Sequence, residues 1–543
     1  MLVVLFASLA AQVPLPGTSS VSEPFAPSSG CAECHASFDP EGSPFDTWMG
    51  SAMAHAARDP WFRAAVVIAE RDHPGIGDLC FRCHAPEAWL EGRCSPSDGS
   101  RLLPTDQGVG CAGCHRMLPN PFVQNGQYVV LDETRMIGPY SETPSPHATA
   151  QSDWVSDSRF CGTCHDLMNP LVARRSLDGT VSDDPFPEQT TYSEWAQSAF
   201  AANGATCQSC HMPEVPGRNA MEGPVREARS IHGFAGGNLF LLDSVGLLFP
   251  ELGIQAQLLE GERRIRQMLS RAARVDGFEL PASVMRGETG RLRVRVTNES
   301  GHKLPTGYPE GRRVFLAGRS TALGFDRGSY DAATNTIAEP FAVYEAVHGS
   351  LSSGPSHHLA TNDVVLSDSR LPPRGFFPTA TTAPVGKTFA LLASGALAHY
   401  DDITITATIP CELEADVDLS FELFYQSIHA GAVDPVVTEI ATTPEGQAFA
   451  LSFATFDSAP ISIATFSTRI PLARGSCGEG ADSGVAAGRV PTYAGVTDAG
   501  QAHDDDGGGC GCSSAAAHEA STTLALLAFG VIVFFRRAFH IGR

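Results

Sequence analysis

Five copies of one pentapeptide crowd into residues 31–211: Cys31-Ala-Glu-Cys34-His35, Cys80-Phe-Arg-Cys83-His84, Cys111-Ala-Gly-Cys114-His115, Cys161-Gly-Thr-Cys164-His165 and Cys207-Gln-Ser-Cys210-His211. No other feature of the 543-residue chain restricts its folding as tightly. Cys-x-x-Cys-His is the attachment pattern of c-type haem. Two thiols at that spacing add across the vinyl groups of one haem edge, and the adjacent histidine swings under the ring as an axial iron ligand. Zinc sites and thioredoxin-like redox pairs also use Cys-x-x-Cys. Neither requires a histidine directly after the second cysteine five times over, and zinc ribbons use such units in pairs. The expectation is therefore five covalently attached haem c groups. Cys31, Cys34, Cys80, Cys83, Cys111, Cys114, Cys161, Cys164, Cys207 and Cys210 tether them, with His35, His84, His115, His165 and His211 as proximal ligands.

A region that wraps five porphyrins has little need of long helices, because each macrocycle is itself a large apolar plate. Residues 31–250 fit that description: they are dense in Gly and Pro and poor in long periodic segments. The clearest helix follows at Ile254 to Ala272, where Ile254, Leu258, Ile265, Met268 and Ala272 recur at helical spacing. It is expected to pack on the haem region or to bridge to the next domain. From about 275 the period changes to two, as in Arg291 to Thr297, Ile403 to Ile409 and Val417 to Phe424. Alternating strands punctuated by turn residues predict a β-sandwich-like domain over 275–475.

The ends carry sorting signals. Leu2 to Ala11 is a short apolar run before small residues, a signal peptide over 1–11 that lacks the usual leading Lys or Arg. A Pro/Ser-rich linker occupies 12–30. At the other end, 476–512 is a Gly/Ala/Asp-rich linker expected to be disordered, with Cys510 and Cys512 at its close. Leu524 to Phe535 is then almost wholly apolar before Arg536 and Arg537. Counted from Ala520, about 16 helical residues span roughly 24 Å, short of a ~30 Å bilayer core. The basic end would stay cytoplasmic, with the bulk of the chain outside. Residues 513–543 are thus expected to be a transmembrane or sorting tail. The fold class that emerges is multidomain: a mainly α/coil multihaem cytochrome c domain, an all-β sandwich-like domain and a C-terminal hydrophobic anchor helix.

Covalent haem attachment takes place outside the cytoplasm, so periplasmic or cell-surface localisation is expected. In that oxidising setting Cys411 and Cys477, two of the five cysteines outside the motifs, are candidates for a disulfide. The net charge of −23 excludes a nucleic-acid partner, which needs a basic face.

What sits opposite each proximal histidine decides the chemistry. Two axial histidines make a closed iron suited to electron transfer, whereas an open position admits substrate. Up to residue 240 there are four further histidines, His55, His73, His147 and His232, and each is expected to be a distal metal ligand. The fifth would come from the β-domain: His302, on the turn that leaves the first long strand. Met53 is a weaker candidate, and His348, His357, His358, His399 and His429 are reserves.

Several linking stretches carry a resemblance. They are Phe45-Asp-Thr-Trp48-Met-Gly-Ser51 leading to His55, Ser145-Pro-His147-Ala-Thr-Ala-Gln-Ser152, Phe160 to Asp166, and Tyr192-Ser-Glu-Trp195 running into Cys207 to Pro213. In these the chain resembles the multihaem cytochromes related to the tetrahaem cytochrome c and hydroxylamine oxidoreductase superfamily. The resemblance implies distal-ligand roles for His55 and His147. Gly301-His-Lys-Leu-Pro-Thr-Gly-Tyr-Pro-Glu-Gly-Arg-Arg313 is similar to a segment appended to such cytochromes. The tail resembles the MYXO-CTERM type of sorting tag, which implies loss of the helix and anchoring through Cys510 or Cys512. Departures are plain: five sites rather than eight or four, and no counterpart of a cross-linked catalytic haem.

The leading functional expectation is an electron carrier of the envelope or cell surface that serves redox partner proteins or an extracellular acceptor. A second is an oxidoreductase acting on a small nitrogen or sulfur oxyanion at one five-coordinate haem, with Arg312 and Arg313 as an anion-binding element. A third is a surface scaffold that binds through the β-domain.

Overall fold

The architecture comes from a computed structural model, which describes residues 15–475 and Cys477 apart from positions 40, 107, 142–144 and 457. The expected signal peptide, the tail helix, Cys510 and Cys512 lie outside the described residues. Among those described, no helix is long and apolar enough to cross a membrane.

The first half is built from short helices, each stopped within a few turns by the next motif or turn. All five pentapeptides lie on or at the end of one: Ser28–His35, Gly77–His84, Cys111–His115, Ser158–Gly162 and Cys207–His211. Local caps fix where they begin. The Asp157 carboxylate accepts from the Arg159 N–H at 2.8 Å, and the Thr206 hydroxyl accepts from that of Ser209 at 3.2 Å. The one long helix of this half, Pro60–Asp72, starts with Pro60 in its first turn and Asp59 accepting from the Trp61 N–H at 2.9 Å. Beside its helices the half also contains β-structure, including the strands Leu167–Arg175, Val181–Gln189, Glu214–Gly217 and Arg226–Ser230.

The second half is sheet-rich. Thr289–Asn298 runs antiparallel between Ala273–Phe278 and Tyr400–Thr408, with Val296 opposite Val275 on one side and Asp401 on the other. Along it Leu292, Val294 and Val296 are buried, while the arginines between them face outward, the period-two signature of a half-buried strand. A second sheet centres on Arg313–Ser320 and Val417–Gln426, which is flanked by Ile461–Ile470. Val294, Ile403, Leu316, Phe421 and Leu423 meet in one core, so two sheets share an apolar interior. The disulfide Cys411–Cys477 ties the end of the last strand region to the loop after Tyr400–Thr408, across a sequence separation of 66.

The halves are interlocked. The helix expected over 254–272 is Gln255–Leu269, and its Leu258, Ile265 and Leu269 enter the same core as the sheets. On its other side it touches the first half backbone to backbone: a Cβ on Gly261 would sit 1.9 Å from the Gly50 carbonyl oxygen. Both glycines are required by that approach. Helices Ala430–Glu439 and Pro444–Phe456 pack Val433, Val436, Phe449 and Phe453 against Ala64 and Ile68 of Pro60–Asp72. A five-stranded sheet also crosses the expected boundary, in the order Gly354–Pro355, Ala346–Ser350, Val364–Asp368, Leu167–Arg175, Val181–Gln189. A division into 31–250 and 275–475 therefore separates strands that hydrogen-bond to one another.

Candidate haem centres

Four of the five motif histidines are oriented by the backbone. The ring Nδ1 of His35 is 2.6 Å from the Asn219 carbonyl, that of His84 is 3.1 Å from Ala56, that of His115 is 2.7 Å from Ile137, and that of His211 is 2.6 Å from Ala235. A carbonyl oxygen can only accept, so Nδ1 carries the proton in each and Nε2 keeps its lone pair. That is the tautomer a metal-binding imidazole needs, held by an outer partner that fixes the ring.

Two of the expected distal residues meet a motif histidine. His232 lies opposite His115 with ring centres 6.3 Å apart and planes 24° apart, and His302 lies opposite His211 at 6.2 Å and 14°. Imidazoles bound on opposite faces of one metal, each about 2 Å from it, have ring centres about 6 Å apart. Both partners use Nδ1 on a carbonyl, Ser230 at 3.2 Å for His232 and Lys303 at 3.0 Å for His302, leaving Nε2 for the facing ring. His147 is exposed, yet near enough to His115 to disfavour its protonation together with burial and His35. His73 is an exposed helix cap whose ring faces no motif histidine among the described residues. His55 differs from expectation. Its Nε2 donates to the Met49 carbonyl at 2.8 Å while Nδ1 lies 3.2 Å from the Arg58 guanidinium, so both nitrogens are engaged near its own turn.

Three of the reserves are engaged elsewhere. His348 pairs with Glu310 at 2.6 Å, and His357 and His358 both reach Glu439. Arg312 donates to the Thr306 carbonyl and Arg313 to the Gln426 side chain.

The motifs are paired by a repeated device. The hydroxyl of Ser28, three residues before Cys31, accepts from the Cys111 N–H at 3.0 Å, and that of Ser158, three before Cys161, accepts from the Cys207 N–H at 3.1 Å. In the same two pairs the thiols touch: Cys31 with Cys111, and Cys161 with Cys207. Cys83 and Cys164 make a third thiol contact. Glu87 joins the second motif to the third, its buried carboxylate accepting from the N–H groups of Gly110 at 3.0 Å and Gly113 at 2.9 Å. His165 sits among these groups. Burial, with His211, His84, Arg312 and His302 nearby, pulls it down to about 4. The serine three residues ahead of the first and fourth motifs was visible in the sequence, but its partner was not.

The turn that carries His302 is held by buried charge. Lys303 is 2.7 Å from Asp368, whose carboxylate also takes two bonds from Arg370 at 2.8 and 2.7 Å. Arg370 reaches Glu194 at 2.9 Å, and Glu194 accepts from the Lys303 N–H at 3.2 Å and the Thr306 hydroxyl at 2.8 Å. Glu194 stands on the helix Thr191–Ala196 between the fourth and fifth motifs. The network thus fastens the β-rich half to the helix beside His211.

This donor set fits haem c. The motif cysteines stay outside the disulfide that the chain closes at Cys411–Cys477, and four of the motif histidines present Nε2. A family model described as cytochrome c554 and c-prime matches residues 30–116, which hold the first three motifs. Among solved structures, a penta-heme cytochrome c552 from Thermochromatium tepidum is similar at 18% identity, over 82% of this chain and 99% of that one, with a TM-score of 0.46. No curated protein matches the chain. The motifs and the family match together make it a multihaem c-type cytochrome with covalently bound haem c.

Proposed function

We propose that the chain carries electrons in the cell envelope or at the cell surface through five covalently bound haem c groups, most of them closed by two histidines. The observation that carries this reading is the pair of facing imidazoles, His115 with His232 and His211 with His302. Bound between such rings, haem c supplies one-electron iron chemistry without an open position for substrate. The chain's own part is to tether each group through two thiols, to hold the proximal Nε2 of His35, His84, His115 and His211 forward with a carbonyl on Nδ1, and to bring neighbouring motifs together. The serine-linked pairs, the Cys83–Cys164 contact and the nearness of Cys114 to Cys161 favour a continuous series in which the first and third motifs join the rest through the fourth. We assign His147 to the first motif, because His232 already faces the third. His55, on the resemblance, and His73, as the remaining histidine of the region up to residue 240, are proposed for the second and fourth motifs. Redox partner proteins or an extracellular acceptor would take the electrons, with the C-terminal segment as anchor.

Electron paramagnetic resonance of the oxidised full-length protein, with CO added after reduction, tests the reading. Low-spin signals at the third and fifth haems and no CO binding there are expected; CO binding by all five irons would overturn it. Mass spectrometry of the denatured protein checks the count of five.

A second reading, reduction or oxidation of a small oxyanion, is favoured by one observation. Neither His84 nor His165 faces another imidazole among the described residues, and Glu188, raised by burial and then by Glu310 and Cys83 nearby, lines a cavity of about 360 Å³ with Arg174 and His348. A high-spin, CO-binding haem with nitrite or hydroxylamine turnover would favour it.

A further inference from the structure

We propose that His357, His358 and Glu439 bind a first-row divalent cation, with Asp72 as the outer support of the site. The donors and their support come from three separate parts of the chain. The histidines lie in the loop after Gly354–Pro355, Glu439 ends the helix Ala430–Glu439, and Asp72 ends Pro60–Asp72. One carboxylate oxygen, Oε2 of Glu439, is 2.7 Å from Nε2 of His357 and 3.3 Å from Nε2 of His358, and the ligand atoms of the three residues lie within 4.8 Å of one another. Metal bonds of about 2.0–2.2 Å to histidine nitrogen and carboxylate oxygen fit that spread with a small closure.

The tautomers point the same way. Nδ1 of His358 is 2.9 Å from one Asp72 oxygen and 3.0 Å from the other, so Nδ1 carries the proton. The Nε2 of the neutral ring is then a lone pair aimed at a carboxylate oxygen, two acceptors face to face. A cation between them removes that repulsion, and the Asp72–His358–cation arrangement is the carboxylate–histidine support seen at metal sites generally. Arg71 approaches Glu439 through the other oxygen, Oε1, at 4.0 Å, so Oε2 stays available. The side chains are 17–33% exposed, which leaves a path for the ion and room for water to complete its shell. Two imidazoles and one carboxylate select zinc, copper or nickel over magnesium or calcium. Occupied, the site would clamp the loop 356–363 and the helix Ala430–Glu439 to Pro60–Asp72, one more tie between the two halves.

The competing account is an imidazolium held between carboxylates, and zinc binding by the haem-loaded full-length protein separates the two. After equilibration with zinc and dialysis, elemental analysis is expected to find one more zinc per chain in wild type than in His358→Ala or Glu439→Gln. The zinc absorption edge should report two imidazole nitrogens and oxygen in the first shell. Asp72→Asn should weaken binding by about 10–100-fold. Zinc should raise the melting temperature of wild type and not of the variants. Equal zinc in wild type and His358→Ala, or none retained by wild type, would overturn the proposal. So would a change in the low-spin haem signals of His358→Ala, because that histidine would then serve an iron.

Discussion

His302 and His211 face each other with ring centres 6.2 Å apart and planes 14° apart, although one leaves a β-strand and the other closes the fifth pentapeptide. The turn bearing His302 reaches that position because Lys303, with no exposed surface, is drawn into ion pairs beneath it. One half of the molecule thus presents an imidazole to a motif in the other.

Replacing His302 with Ala should open one iron. In the reduced protein, CO binding is expected to rise by one haem equivalent per chain, with a matching high-spin signal in the oxidised form. Unchanged CO stoichiometry would remove His302 from the ligand set.

The charges beneath His302 should be costly to break. Arg370→Leu leaves Glu194 and Asp368 buried with Lys303 as their one remaining cation, and removing one partner of such a pair costs about 3–5 kcal/mol. The effect has a pH sign. Burial alone would raise Asp368, but Arg370 and Lys303 outweigh it and hold the carboxylate well below its usual range. Its stabilisation is therefore full above the unfolded carboxylate value of about 3.9 and is lost as pH falls below it. Denaturant titrations at pH 7 and pH 3 should show the gap between wild type and variant narrowing in acid.

Asp59 should show the opposite slope. Burial raises it to about 6, against the bonds from the Trp61 and Phe62 N–H groups and from Asn238. The folded state then holds a proton between about 4 and 6 that the unfolded state has released, so stability from this group falls as pH rises through that window. Asp59→Asn keeps an oxygen for the helix cap and removes the buried charge. A gain on the order of 2 kcal/mol is expected above pH 6, shrinking toward pH 4. Urea unfolding at pH 5 and pH 8 measures it, and equal gains at both would contradict the argument.

Cys411→Ser should lower the unfolding midpoint of the β-rich half. Closing a loop of this length stabilises by about 2–4 kcal/mol, so wild type in reductant and the variant without it should melt together, below oxidised wild type. A variant that melts with oxidised wild type would show that the crosslink constrains nothing.

How much was legible in advance depended on range along the chain. The pentapeptides could be recognised because tethering one haem needs two thiols and a histidine within five residues, chemistry that the fold does not alter. Leu292, Val294 and Val296 could be recognised as a strand face because alternation is local as well. The strands Leu167–Arg175 and Val181–Gln189 could not, since Pro170, Pro185 and Pro187 mask their pattern and part of their pairing lies nearly two hundred residues away. His55 looked like its neighbours in the sequence, yet the turn that carries it places its ring on Met49 and Arg58.

The sequence by itself determined the cofactor chemistry and its count of attachment sites, because each is written in contiguous residues. Which histidine faces which, that Ser28 and Ser158 pair the motifs, and that His302 is held over His211 by Lys303, Asp368, Arg370 and Glu194 were decided by tertiary structure alone. The physical reason is that an axial pair, a buried ion pair and a close glycine contact such as Gly50 with Gly261 are set by distances between segments. Those distances exist once burial of the shared core has brought the segments together.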